Sequence, residues 1–269
     1  MRLDLFLVDK AYTESRQKAQ RLIKNGCVSI DGKVITKPSD DIDEKIEHSV
    51  DITETENERY VSRGGLKLEG ALDAFKLSPN GLVCADIGAS TGGFTDCLLQ
   101  KGAKKVFAFD SGSDQLHSKL KNDERVVSKE GFNARYITPA DIGEAVDLVV
   151  MDVSFISQTL IIPAIVRLLK TNGVFVTLIK PQFEAGRSAL GKNGIVKRKE
   201  DRLAAVKRVV DCAFDNGLSI KGLVKSPIKG GDGNEEFLAA FVLTNEEEIT
   251  QGLNIKDIVF DKLLKTGER

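Results

Sequence analysis

Apolar and polar positions follow two rhythms along this chain, and the change falls near residue 60. RLDLFLVDKAY predicts a short helix with Leu3, Leu5, Phe6 and Leu7 facing inward. TESRQKAQRLIKNG predicts a second helix, capped by Thr13 or Ser15, with Ala19, Leu22 and Ile23 on one face and Gly26 as its stop. CVSIDGKVI then alternates about Asp31-Gly32, a tight hairpin signal, and HSVDIT supplies a further short strand. ERYVSRGGLKLEGALDAF breaks at Gly64 and Gly65 before a helix carrying Leu68, Ala71, Leu72 and Phe75. From there strands and helices alternate. LVCADIG, KVFAFD, VVSKE, DLVVMD, GVFVTLIK, SIKGLVKSP and EFLAAFVLT read as strands, with helices from Gly92, near Asp114 to Lys121, around Ile161 to Leu169, and from Lys199 to Asn216. The pattern predicts a small α+β unit over residues 1–59, a linker over 58–64, an α/β domain over 60–245 and a charged, partly helical tail over 246–269. The larger domain is expected to hold a mostly parallel sheet with helices on both faces, ligands at the carboxyl ends of the strands and an antiparallel edge from the last two strands.

Charge sharpens the first unit. The 269 residues are 41% hydrophobic and 29% charged with a formal net charge of −1, so no global field marks a nucleic-acid binder. Locally the charges separate. Between residues 10 and 37, Lys10, Arg16, Lys18, Arg21, Lys24, Lys33 and Lys37 face only Glu14 and Asp31; between 40 and 58, Asp40, Asp41, Asp43, Glu44, Glu47, Asp51, Glu54, Glu56 and Glu58 face Lys45. Arg16, Lys18, Arg21 and Lys24 fall mostly away from the apolar side of their helix, a stripe that fits RNA phosphates and equally an ordinary solvated face. The four cysteines are scattered and the two histidines too few for a zinc cluster, so no metal site is expected. No signal-peptide core or membrane-length apolar run occurs, and the expectation is a soluble cytoplasmic protein.

Two places in the larger domain carry chemistry. In LVCADIGASTGGFTDCLL a strand gives way to Asp86, Gly88, Ser90, Thr91, Gly92 and Gly93 and then a helix, so that backbone N–H groups and a tight turn face a ligand. The spacing departs from G-x-G-x-x-G. The next strand ends in Asp110, where a carboxylate can accept both hydroxyls of a ribose. Together with the antiparallel end, these features suit S-adenosylmethionine better than NAD and resemble a class I methyltransferase. That resemblance sets Asp86 and the loop against the methionine part of the cofactor and Asp110 on its ribose; Asn133 fits the adenine neighbourhood or a plain loop turn.

The second place is a set of strand ends. GVFVTLIK closes in Lys180 before Pro181, DLVVMD in Asp152, and GNEEFLAAF begins with Glu236, while Lys67 lies just inside the domain boundary. A 2′-hydroxyl is a very weak acid and must lose its proton as it attacks a methyl group. A lysine beside another lysine and away from bulk water gains access to its neutral form, which carboxylates then hold and tune. Lys180 is therefore expected as the base, Lys67 as its support, Asp152 between donor and lysines, and Glu236 fixing a lysine head; strand alternation turns Glu235 to the other face. Cys84 within a strand and Cys97 within a helix leave a cytosine C5 mechanism without a nucleophile.

RLDLFLV followed by SRQKAQRLIKNGCVSIDGKVITKPS closely resembles the S4 RNA-binding domain, which implies docking on structured RNA. Lys67, Asp152, Lys180 and Glu236 match in order and context the K-D-K-E tetrad of FtsJ-type ribose 2′-O-methyltransferases. With VSRGGLKL, DIGASTGGFTD, DVSFIS, LIKPQFE and GNEEFL also present, residues 1–245 resemble the TlyA family, often labelled hemolysin. The resemblance implies 2′-O-methylation of cytidine in large-subunit ribosomal RNA, and for a longer subtype in small-subunit RNA too. Ribosomal RNA or its subunits are then the expected partners, with no membrane partner; a non-catalytic RNA-binding assembly factor is the first alternative and a membrane-active hemolysin the second. Beyond the stripe, Lys37, Arg63 and the loop bearing Arg187 and Lys192 fit RNA contact, the loop as a clamp or as a solvated turn. Tyr12, Tyr60, Phe155 and Phe183 are the aromatics open to stacking or to core packing, Phe155 foremost because it adjoins Asp152.

Overall fold

The computed structural model describes residues 1–24, 26–53, 59–230, 233–244 and 254–260, leaving aside the Lys192 side chain. Glu54, Glu56, Glu58 and residues 246–253 and 261–269 of the tail lie outside that description. The chain divides into two compact units, Met1–Arg59 and Tyr60–Arg269.

In the first unit α1 (Leu3–Asp9) and α2 (Arg16–Lys24) precede β1 (Val28–Ile30), β2 (Lys33–Ile35) and β3 (Val50–Ile52), which form an antiparallel sheet in the order β2-β1-β3. Leu3, Phe6, Leu7, Ala19, Leu22, Ile23 and Val28 make its core. Leu5, expected to face inward, is instead 40% exposed, because two residues along a helix is more than half a turn from Leu3. Ser15 rather than Thr13 caps α2, its Oγ accepting from Lys18 N at 3.3 Å. Asp31 and Gly32 both hold positive φ, 52° and 78°, as the two-residue hairpin turn between β1 and β2 demands.

The second unit opens with α3 (Gly64–Phe75), then β4 (Val83–Ile87), α4 (Gly93–Gln100), β5 (Lys105–Phe109), α5 (Ser118–Lys121), β6 (Val126–Lys129), α6 (Pro139–Ile142) and β7 (Val146–Met151). It continues through α7 (Ile162–Ile165), β8 (Leu169–Ile179), α8 (Pro181–Glu184), α9 (Lys199–Asp215), β9 (Leu218–Lys225), β10 (Phe237–Leu243) and α10 (Ile255–Val259). The strands form one sheet in the order β6-β5-β4-β7-β8-β10-β9. The first five are parallel, and β10 runs antiparallel to both neighbours. The last two strands do pair as a hairpin, with β9 at the edge and β10 inside.

Side chains alternate between two cores across this sheet, which is why the strands read as unbroken apolar runs. Cys84, Val106, Leu148, Val176 and Leu238 pack with α3 and α4, while Ala85, Phe107, Val149, Phe175 and Phe241 pack with α7 and α9. Strand order reverses between β4 and β7, so their carboxyl ends open the crevice where α/β sheets bind ligands.

Two local expectations are revised. Gly64 and Gly65 are the first two residues of α3 rather than a break before it; Gly65 lies so close to Tyr60 that a Cβ would come within 2.3 Å of the ring. The helix expected from Asp114 starts at Ser118, since Asp114 has a positive φ of 54° and the His117 side chain caps the helix by accepting from Lys119 N. In the tail, Ile255–Val259 is helical and Val259 is buried against the α9 face of the core.

Candidate active site

Two cavities meet over the ends of β4 and β7. The larger, about 510 Å³, is lined by Gly88, Ser90, Asp110, Asn133, Asp152 and Phe155 among others; the smaller, about 290 Å³, by Arg63, Lys67, Thr91, Gly93, Asp152, Ser154 and Lys180 among others. Gly88, Ser90, Asp152 and Ser154 line both.

The larger cavity fits a nucleoside-bearing cofactor. Gly88 has φ 84°, and a Cβ there would stand 2.6 Å from the Asp152 carbonyl oxygen, so the turn can pass between β4 and β7 only without a side chain. Asp110 accepts from Ser90 N and Gly112 N, each at 2.7 Å, one on each carboxylate oxygen. Those bonds orient the carboxylate at the cavity wall and leave further lone pairs on both oxygens. Asn133 lines the cavity and is also a turn asparagine, its Oδ1 accepting from Arg135 N at 3.1 Å. Asp86 departs from expectation. It lines neither cavity but is wholly buried beneath the loop, with Oδ2 accepting from Thr95 Oγ1 at 2.7 Å and Oδ1 meeting no donor. Its side chain turns from the strand end toward the first turn of α4 and knits the two together. Burial pushes its carboxyl up to about 7, against the bond from Thr95. Gly92, in left-handed conformation before α4, also stands outside both cavities.

The four residues of the expected tetrad form two ion pairs. Lys67 Nζ lies 2.5 Å from Glu236 Oε2, both buried, and Lys180 Nζ lies 2.6 Å from Asp152 Oδ1. Each lysine thus has its own carboxylate. Glu236 lines neither cavity and touches Lys67; Glu235, one residue earlier, faces Arg202 and Lys225 at 3.3 and 3.6 Å. Lys180 also donates to Ser154 Oγ at 2.9 Å. Sequence reasoning missed Ser154, although it stands inside the quoted DVSFIS. It also missed Asn234, whose side chain accepts from Val196 N at 3.1 Å and donates to Gly194 O at 3.2 Å. With Arg202 donating to Val196 O at 3.2 Å, those bonds anchor the far end of the basic loop read as a clamp or as a solvated turn. The thiols of Cys84 and Cys97 are buried and pushed up to about 12 by that burial.

Among the aromatics, Tyr60 is buried and Tyr12 stacks on Phe6 with centroids 6.5 Å apart. Phe155 is 91% exposed, its φ is 64°, and its ring meets Phe183 at 5.1 Å between centroids. Among the expected RNA contacts, Arg16 Nε donates to Asp4 Oδ2 at 3.0 Å. Asp4 is buried, receives Arg2 and Gln20 as well, and is held well below the usual carboxylate range, first by Arg2. Lys18 pairs with Glu14 at 3.0 Å and Lys37 with Asp40 at 3.8 Å; Lys24, Arg63 and Arg187 are exposed. The Lys192 side chain lies outside the described residues.

Residues 60–243 match the FtsJ-like methyltransferase family, and residues 1–45 match the S4 domain. The chain is 41% identical over 258 residues to the 16S/23S rRNA (cytidine-2′-O)-methyltransferase TlyA of Mycobacterium tuberculosis, covering 96% of this chain and 95% of that protein. It belongs to the TlyA family. Hemolysin A of Brachyspira hyodysenteriae is 46% identical over 90% of this chain and all of that protein. A solved structure of a candidate hemolysin from Streptococcus thermophilus superposes with a TM-score of 0.77 at 43% identity, covering 97% of this chain and 94% of that one. Among the described residues no helix is long and apolar enough to cross a membrane.

Proposed function

We propose that this TlyA-family chain is an S-adenosylmethionine-dependent methyltransferase that acts on the ribose 2′-oxygen of cytidine in ribosomal RNA of the large subunit, and of the small subunit as well. The observation that carries the reading is the pairing of Lys67 with Glu236 and of Lys180 with Asp152 beside a glycine turn built for a nucleoside. The cofactor, when bound, supplies an electrophilic methyl group. Gly88, Ser90, Asp110 and Asn133 would hold it in the larger cavity.

Lys180 is the base. Its Nζ sits at the wall of the smaller cavity within reach of both Asp152 and Ser154; once the ammonium has released a proton to solvent, the neutral amine takes the proton of a hydroxyl entering there as that oxygen attacks the methyl group. Asp152, which lines both cavities, then holds the ammonium that forms and keeps it beside the cofactor. Lys67 steadies the nucleophilic oxygen, and buried Glu236 fixes the Lys67 head so that it does not wander in the cavity. Phe155 offers an exposed ring at the cavity mouth on which a nucleotide turned out of its helix can stack. Lys24, Arg63 and Arg187 contribute phosphate contacts, with the S4 unit docking on RNA structure. With both buried thiols held in their neutral form, a cysteine-dependent attack on the cytosine ring is disfavoured. Ribosomal RNA as substrate implies work in the cytoplasm.

The test is to incubate purified protein and cofactor with unmodified large and small subunits and to locate new methyl groups by nuclease digestion and mass analysis. Methyl on a cytidine ribose is expected. Methyl on a base, or none despite measurable cofactor binding, would overturn the reading.

A further inference from the structure

Phe155 raises a question that the active-site pairs leave open. A phenylalanine at φ 64° occupies backbone space that L residues rarely enter, and such a conformation persists only where the surroundings impose it. Its own ring does little to impose it, being 91% exposed, with the tilted Phe183 ring 5.1 Å away between centroids. The hold must come from either side of it in the chain.

On the N-terminal side Asp152 N donates to Ile87 O at 3.0 Å, and the Asp152 side chain pairs with Lys180. On the C-terminal side a buried carboxylate takes two bonds from the segment. Glu184 is 2% exposed; its Oε2 accepts from Ser157 Oγ at 2.6 Å and its Oε1 from Gln158 N at 2.8 Å. Gln158 is buried in turn, donating to Leu178 O at 2.6 Å and accepting from Thr177 Oγ1 at 2.8 Å, so the end of the segment is moored to β8. Glu184 lies on α8, whose N-cap is Lys180, and Arg208 of α9 donates to its backbone carbonyl. One short helix therefore carries both Lys180 and the residue that moors the segment bearing Ser154 and Phe155.

The chemistry of the mooring also speaks for a positioning task. Both donors to the carboxylate, a hydroxyl and an amide, are neutral, and burial pushes the Glu184 carboxyl up. A leucine of similar size would fill the space without that desolvation cost but could accept neither bond.

We propose that Glu184 is a positioning residue, which by accepting from Ser157 and Gln158 fixes the 153–157 segment and so holds Phe155 and the Asp152–Lys180 pair in working register. The inference rests on the catalytic reading of that pair given above.

The test has two arms on the full chain. The sequence contains no tryptophan, so Phe155→Trp creates a single indole reporter on the segment itself. Combined with Glu184→Leu, the indole should depolarise faster and be quenched more readily by acrylamide; combined with Glu184→Gln, which keeps an acceptor for Gln158 N, it should match the parent. In proteins retaining Phe155, Glu184→Leu should leave cofactor affinity and KM for RNA close to wild type while kcat falls roughly 100-fold, and Glu184→Gln should stay within about threefold. Should Glu184→Leu fail to fold, Ser157→Ala removes one of the two bonds and is expected to lower kcat roughly tenfold with KM unchanged. Wild-type kcat in Glu184→Leu, unchanged mobility of the indole, or a Gln variant as damaged as the Leu variant would overturn the proposal. If the wild-type chain transferred no methyl to RNA while the indole still loosened on Glu184→Leu, the function proposed above would fall and the positioning of the segment would stand.

Discussion

Replacing Asp86 with Asn should change how the stability of the methyltransferase unit depends on pH. Asp86 is wholly buried, with one oxygen bonded to Thr95 and the other meeting no donor. Burial moves its carboxyl from 3.8 to about 7, so the folded chain holds the proton more tightly than the unfolded chain does. The contribution to stability is therefore fully present below about 4 and is lost as pH rises through 7. A carboxyl titrating near 7 in the fold and at 3.8 in the unfolded chain corresponds to about 4 kcal/mol over that window, as an order of magnitude. Asparagine has no proton to lose. Leaving its buried Nδ2 without a partner costs about 1–3 kcal/mol, but that cost is the same at every pH. Glu184, which burial also pushes up, slopes in the same sense in both proteins and cancels in the difference. Urea unfolding of both proteins followed by far-UV circular dichroism, at steps from about pH 4.5 to 8.5, spans the window and reads the effect. The variant should gain on wild type by a few kcal/mol as pH rises. Profiles that stay parallel within ~0.5 kcal/mol would refute the reasoning.

Other perturbations separate the roles of neighbouring residues. Glu236→Ala leaves the Lys67 ammonium buried without its carboxylate and should cost about 3–5 kcal/mol in unfolding free energy, whereas Lys67→Met with Glu236→Leu should recover much of that loss. Phe155→Asn removes an exposed ring from a left-handed position, so stability should hold or rise by up to about 1 kcal/mol. The same variant should lower kcat/KM on ribosomal RNA roughly tenfold, the loss expected for one base–aromatic stack. Arg16→Ala should lower the unfolding midpoint of the S4 unit, because buried Asp4 loses a partner, while Lys24→Ala should leave the midpoint unchanged and reduce the salt slope of RNA binding by about one.

Much of the fold was legible because the larger unit uses unbroken apolar strands separated by helical spacing, and that pattern alone specifies a covered parallel sheet. The hairpin at Asp31 and Gly32 was legible for a similar reason, since two positive φ values in sequence call for such a pair. Helix ends were less so. Gly64 and Gly65 read as a break, yet Gly65 serves the close approach of Tyr60, a long-range packing fact with no local signal. At the site, strand ends named Asp152, Lys180 and Glu236, but the sequence gives no sign that the two lysines are divided between two carboxylates. Asp86 was set against the cofactor by the resemblance to class I methyltransferases; only the fold reveals that its side chain turns under the loop to Thr95. Arg16 counted among basic residues on a helix face, and its bond to Asp4 depended on where a residue twelve positions earlier is buried.

Lys180 carries the central chemical step of the proposed function, and one comparison addresses it directly. Wild-type protein and Lys180→Met would be given radiolabelled S-adenosylmethionine with unmodified large subunits, under single-turnover conditions, with cofactor affinity measured separately by calorimetry. Wild type should label a cytidine 2′-oxygen, and the variant should bind cofactor equally well while transferring methyl roughly 1,000-fold more slowly. Transfer by Lys180→Met at the wild-type rate would contradict the role of Lys180 as base.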